Sequence, residues 1–174
     1  MISLAYQEVQ AILLRMKADN FKSFFKAFKY AMSGIVHCIK NERNIRFHIS
    51  AAVFVTILMR FYDLSGVEKA IVFLTIASVI SAEMINTGVE SVVDLVSPKY
   101  NRLAKIAKDA CSGAVLIMAL FSVVIAYNLF WDTLIFKEII KFYSNNILHL
   151  IGLTLLAISA LFFIFGKSNN IDRD

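Results

Sequence analysis

The sequence predicts an all-α integral membrane protein, and three of its features do so. Hydrophobic residues make up 59% of the 174 residues, and mean hydropathy is +0.68, more apolar surface than a soluble chain of one domain's length can bury. The apolar stretches run on without the alternation of a lipid-facing strand, which excludes a β-barrel. Helix breakers are scarce, with one proline and six glycines, and fifteen phenylalanines suit a surface that faces lipid.

From the N-terminus, residues 1–20 form an extension in which Ile12, Leu13 and Leu14 are mixed with Glu8, Arg15, Lys17 and Asp19. That mixture offers neither the long apolar region nor the small-residue cleavage site of a signal peptide, so insertion is expected to rest on the later segments. Residues 21–40 carry Lys22, Lys26 and Lys29 on one helical stripe and Phe21, Phe24, Phe25 and Phe28 on the others. This is the pattern of an amphipathic helix lying in the membrane interface; an ordinary helix packed on a partner is the alternative.

The core, residues 21–131, then holds three spans. The apolar run Phe47 to Tyr62 is short, but a helix begun at Glu42 reaches about 31 Å at 1.5 Å per residue, enough to cross the hydrocarbon. Arg60 can then snorkel to the far interface. Asp63 to Gly66 reads as a tight turn, with Gly66 supplying backbone freedom. The second span starts near Val67, is apolar through Ala82, and keeps a helical pattern to Val96 while turning polar. Ser97-Pro98 should end it, because the residue before proline is pushed out of the α region. After a basic stretch at 99–109 the third span runs from Gly113 to Trp131, which stands where an aromatic anchor is expected. Residues 132–174 add an amphipathic linker to position 146 and a further apolar run, Ile147 to Gly166, long enough for a fourth C-terminal membrane helix.

Charge sets the orientation. Lys22, Lys26, Lys29, Lys40, Arg43 and Arg46 precede the first span, and Lys99, Arg102, Lys105 and Lys108 follow two crossings later. The other side carries only Arg60 and Lys69, then Lys137 and Lys141. The positive-inside rule places the richer side in the cytoplasm, with both termini there if all four runs cross. These charges cluster around apolar spans and form no wet basic face, so nucleic acid is not an expected partner. Cys38 and Cys111 lack metal-site spacing and read as small buried side chains.

The polar end of the second span carries the chemistry. At about 100° per residue, Glu83, Asn86, Glu90 and Asp94 fall within one narrow stripe. Counted from Ala70, Glu83 lies about 20 Å into a core some 30 Å thick, inside the membrane but nearer the basic side. An ionisable residue at that depth marks a functional site by default. The bland alternative is a neutral carboxyl hydrogen-bonded between helices, which leaves the other three members of the stripe unexplained. Lys105, Lys108, Asp109 and Ser112 share a face at the mouth of the third span, where a lysine and a helix N-terminus both favour anions. Glu42, with Asn44 and Arg46, stands at the start of the first span; it could equally be a carboxylate favoured in a helix's first turn. Carboxylates for Mg²⁺, a cation for phosphates and a base for a hydroxyl are the parts that phosphoryl transfer uses. No Walker A or kinase-type glycine loop is present, so a nucleotide site must be built from helices. An ion-coupled transporter using Glu83 would explain the buried carboxylate alone, and a non-catalytic scaffold would explain none of it.

Three segments, NERNIRFH (41–48), EMINTGVESVVDLV (83–96) and LAKIAKDACSGAVLI (103–117), resemble the prokaryotic diacylglycerol kinase and undecaprenol kinase family of small membrane lipid kinases. The resemblance covers roughly residues 21–130. It implies an ATP-dependent lipid kinase of a bacterial plasma membrane, multi-pass, with its active site at the cytoplasmic interface. Carried over position by position, it implies Glu83 as the catalytic base at the lipid hydroxyl and Glu42 and Glu90 as the Mg²⁺ ligands. Asn86 would support the site, Lys108 and Asp109 would contact ATP, and Tyr30, Tyr100 and Asn101 fall where the family contacts the nucleotide. Ser112 falls near the lipid. A homotrimer with sites between neighbouring chains is implied as well. Asn101 stands where many relatives carry histidine, Cys111 replaces a usual glycine or alanine, and the two terminal extensions exceed the common core. The NERNIRFH and AKIAKDA forms favour undecaprenol as the acceptor, giving undecaprenyl phosphate, with diacylglycerol and phosphatidic acid as the alternative.

Overall fold

A computed structural model describes residues 23–166, and the N-terminal extension, Phe21, Lys22 and residues 167–174 lie outside the described residues. The described residues contain helices and no strand. The chain divides into a unit ending at His37 and a second unit from Cys38 onward. The first is the body of helix α1 (residues 23–41), which leaves Phe24, Phe25, Phe28 and Tyr30 exposed.

In the second unit, α2 (Arg43–Leu58) continues through a 3₁₀ turn (Met59–Phe61) into a tight connection to α3 (Gly66–Val96). Helix α4 (Arg102–Phe130) packs back along α3, and α5 (Thr133–Ser144) leads into α6 (Ile147–Phe165). Four segments are long and apolar enough to cross a membrane: Arg43–Phe61, Gly66–Val96, Arg102–Phe130 and Ile147–Phe165. Each boundary has a local cause. Glu42 is extended and breaks α1 from α2. Asn101, Asp132 and Asn146 cap α4, α5 and α6 by accepting backbone N–H bonds with their side chains. Pro98 follows the end of α3 at Val96, as the sequence predicts.

The turn before α3 differs in cause from the expectation. Gly66 is the first residue of the helix, and none of the described glycines has a positive φ. The turn is held instead by a capping box, with the Ser65 side chain accepting from Glu68 N–H while the Glu68 carboxylate accepts from Ser65 N–H at 2.7 Å. The third span also starts earlier than its apolar run, because the basic segment from Arg102 is already helical.

The apolar core of the second unit lies at the ends of α2 and α4 and the start of α3. Met59, Tyr62, Leu64, Val72 and Phe130 are buried there, with Ile135 and Ile139 of α5 packed against them. Tyr62 meets the Phe130 ring edge-on at 5.0 Å and donates its hydroxyl to the Phe130 carbonyl. Burial, and then the nearby Asp132 carboxylate, hold that phenol above its ordinary pKa. This packed end leaves the opposite ends of the three helices to frame a polar cleft.

Candidate active site

Helix α3 spans 31 residues, about 46 Å at 1.5 Å per residue, longer than the ~30 Å hydrocarbon it must cross. Its C-terminal turns therefore carry their polar stripe to the membrane edge, and the first turns of α4 lie beside them. Glu83 is 4% exposed, the least exposed carboxylate among the described residues. Glu90 follows two turns later, about 10 Å nearer the edge. Asn86 lies between and joins the helices: its amide donates to Glu90 Oε1 at 2.9 Å and its carbonyl oxygen accepts from the Ser112 hydroxyl of α4 at 3.3 Å.

The start of α2 closes the third side. His48 Nε2 lies 3.5 Å from Glu83 Oε1, and the Asn44 side chain lines the same cleft beside Glu83. Glu42 and Glu90 both stand near Glu83, and Glu42 makes no side-chain capping bond of its own. Asn44, His48, Glu83, Asn86 and Ser112 line a cleft of 260 Å³. A second cavity of 340 Å³, walled by apolar side chains such as Val55, Val79 and Ile80, shares Phe47, His48 and Ala119 with it. Glu83 lines the polar cleft beside His48, which borders both cavities.

Charged pairs order the mouth. Lys108 Nζ lies 2.6 Å from Asp94 Oδ1 across the α3–α4 hairpin, and Lys105 Nζ lies 2.6 Å from Asp109 Oδ2 one turn on. Asp94, which joins the stripe by spacing alone, is the member that ties Lys108 to α3. Tyr100 is 84% exposed, and Asn101 spends its side-chain oxygen on Leu103 and Ala104 N–H. Tyr30 sits on α1 with the Lys26 ammonium 5.9 Å from its ring centre. The structure thus brings together Glu83, Asn86, Glu90, Ser112 and Glu42, and pairs Lys108 and Asp109 with other residues at the mouth. Sequence reasoning named Asn44 without a role and missed His48. Both were findable, since a helix begun at Glu42 turns positions 44 and 48 toward the same side.

Among the described residues no three His, Cys, Asp or Glu side chains cluster as a metal cage. Mg²⁺ needs no such cage, because it keeps waters and takes one or two carboxylates together with substrate phosphates. Glu42 and Glu90, both near Glu83, fit that demand.

The fold and cleft define a multi-span integral membrane protein with a buried carboxylate in a polar cleft that adjoins an apolar cavity. The sequence profile of prokaryotic diacylglycerol kinase matches residues 29–130. The chain belongs to that family and is an integral-membrane, ATP-dependent lipid kinase. It is 43% identical over 112 residues to the undecaprenol kinase of Bacillus subtilis, covering 64% of this chain and 91% of that protein. It is 39% identical over 100 residues to a diacylglycerol kinase of Synechocystis, spanning 57% of each chain. The diacylglycerol kinase of Escherichia coli K12 is 27% identical over 113 residues, 65% of this chain and 93% of that one. Family membership replaces the transporter and scaffold readings. Helices α5 and α6 lie beyond the matched segment.

Proposed function

We propose that the cleft transfers the γ-phosphoryl group of Mg-ATP to the hydroxyl of a membrane lipid alcohol, with undecaprenol as the acceptor and undecaprenyl phosphate as the product. The observation that carries this reading is the position of Glu83, buried in the polar cleft beside His48, through which that cleft adjoins the apolar cavity. A lipid alcohol has the same polarity profile. Its hydroxyl would lie at Glu83 while the adjoining chain occupies the apolar cavity, which is too small for more than that segment of the lipid.

In this reading Glu83 takes the proton of the lipid hydroxyl as its oxygen attacks the γ-phosphorus, and the bond to the bridging oxygen of ADP breaks. Asn44 and His48 hold the carboxylate, and Asn86 and Ser112 hold the acceptor oxygen's side of the cleft. Glu42 and Glu90 would hold Mg²⁺, which offsets the phosphate charge. Lys108 would exchange Asp94 for a phosphate oxygen, and Asp109, Tyr100 and the free amide of Asn101 would contact the nucleotide. ATP is cytoplasmic, and the basic ends of the helices frame the cleft, which supports a cytoplasmic active site in a bacterial plasma membrane. The assembly is a homotrimer. The family resemblance is what supports that assembly, since exposed apolar side chains of α3 such as Ile85, Val92 and Leu95 suit lipid as well as a neighbouring chain.

The greater likeness to the undecaprenol kinase than to the two diacylglycerol kinases favours the isoprenoid acceptor. The test supplies purified protein in mixed micelles with Mg-ATP and either lipid alcohol. A kcat/KM at least tenfold higher for undecaprenol is expected. A preference for diacylglycerol would move the assignment to phosphatidic acid synthesis.

A further inference from the structure

Arg46, in the first turn of α2, is 7% exposed. Its guanidinium donates from Nη1 to the Lys40 carbonyl at 3.0 Å, and from Nη2 to the carbonyls of Ile164 and Gly166, each at 3.2 Å. Lys40 lies in the last turn of α1, and Ile164 and Gly166 end α6. Carbonyls at a helix C-terminus lack partners within their own helix, and that end carries partial negative charge. Two such ends thus converge on one cation. The match is specific to arginine, whose planar fork can serve several carbonyls at once. A buried charge is costly unless paired; α6 supplies two of the three acceptors here, and Nε alone is left without a partner.

The path of α6 makes this contact a tie across the membrane. Helix α5 packs beside the 3₁₀ turn, with the Phe61 ring 5.3 Å from Phe142, and α6 then runs 19 residues, about 28 Å, back to Arg46. Arg46 follows Glu42 by one turn, and its backbone N–H donates to the Glu42 carbonyl at 3.4 Å. It also lies between Asn44 and His48, which line the cleft.

We infer that the C-terminal helix α6 is a working part of the kinase, and that Arg46 is the positioning residue through which it holds Glu42 and the α1–α2 break at the Mg-ATP side of the cleft. The inference rests on the proposed role of Glu42. Without the tie, Glu42 keeps its chemistry but loses its fixed place.

The test uses the full chain in nanodiscs. Arg46→Gln should raise KM for Mg-ATP about tenfold while KM for the lipid alcohol stays within twofold. Hydrogen–deuterium exchange should quicken in residues 40–48 and 160–166 together and stay unchanged in α3. Arg46→Lys, which keeps the charge but loses the fork, should give a smaller rise; it stands in should the glutamine variant fail to fold. Loss of active protein with KM for Mg-ATP unchanged would reduce Arg46 to a structural role and overturn the inference. So would a raised KM without loosening of the α6 end. Glu42→Gln separates the two layers. If it leaves KM for Mg-ATP normal, the proposed role of Glu42 fails; if it raises KM while both Arg46 variants do not, only the tie fails.

Discussion

Glu83 owes its place to a carboxylate set in an otherwise membrane-compatible helix and to neighbours drawn from two other helices. Asn44 and His48 reach it from α2, and Asn86 links its stripe to Ser112 of α4. His48 Nε2 lies 3.5 Å from Glu83 Oε1, beyond ordinary hydrogen-bond range, so His48→Ala should lower kcat only a few fold, with KM for Mg-ATP nearly unchanged. An equal loss in the Glu83→Gln background would show that His48 acts elsewhere. Lys108→Ala should raise KM for Mg-ATP about tenfold or more and leave KM for the lipid alone, read from initial rates at saturating co-substrate; an unchanged KM would remove Lys108 from the nucleotide. Cys38 gives a pH readout outside the spans. Burial, and then the Glu42 charge, hold its thiol above the ordinary range. The reactive thiolate is therefore scarce at neutral pH, and the maleimide labelling rate at Cys38 in a Cys111→Ser background should still be climbing beyond pH 9. A plateau at or below pH 8 would contradict the burial.

Helical spacing made the stripe legible, because packing against lipid or apolar neighbours gives no reason for four polar residues to share one face of a span. It could not reveal what each residue touches. Lys108 and Asp109 read as a pair by adjacency, but neighbours on a helix point about 100° apart, and each pairs with a residue on its own side, Asp94 and Lys105. Arg46 reads as one more interfacial cation, whereas the fold buries it against a helix 118 residues away. Pairing at that separation leaves no local signature.

At the scale of the element, hydropathy located every span, but their ends were set by polar chemistry that an apolar count misses. Ser65 and Glu68 carry the spacing of a capping box, and that motif, rather than glycine freedom, begins α3. Ser65→Ala should cost about 1 kcal/mol, lowering Tm in detergent by roughly 2–4 °C with kcat and both KM values unchanged, since the cap lies at the packed end away from the cleft. No change in Tm would show that the box contributes nothing measurable. Helix α4 begins at Arg102 because Asn101 caps it, although its hydropathy rises only near Gly113. The amphipathic linker is helix α5, whose apolar face covers the buried cluster around Tyr62 and Phe130.

At the scale of the whole molecule, a packed apolar end and a polar cleft divide the work between stability and chemistry. The proposed trimer would bring a second chain to the open side of that cleft. Cross-linking in nanodiscs should give a ladder that ends at three copies, and a dominant monomer at full activity would contradict it. The proposal that joins these scales is that Glu83 is the base for phosphoryl transfer to a lipid alcohol. Its most direct measurement is transfer of labelled γ-phosphate to undecaprenol by wild-type protein and by Glu83→Gln, at saturating Mg-ATP in mixed micelles, beside nucleotide binding by both. Loss of a general base costs about 10²–10⁴ in rate, so the variant should bind Mg-ATP as wild type does and turn over at least a hundredfold more slowly. Turnover within a few fold of wild type would contradict the role of Glu83.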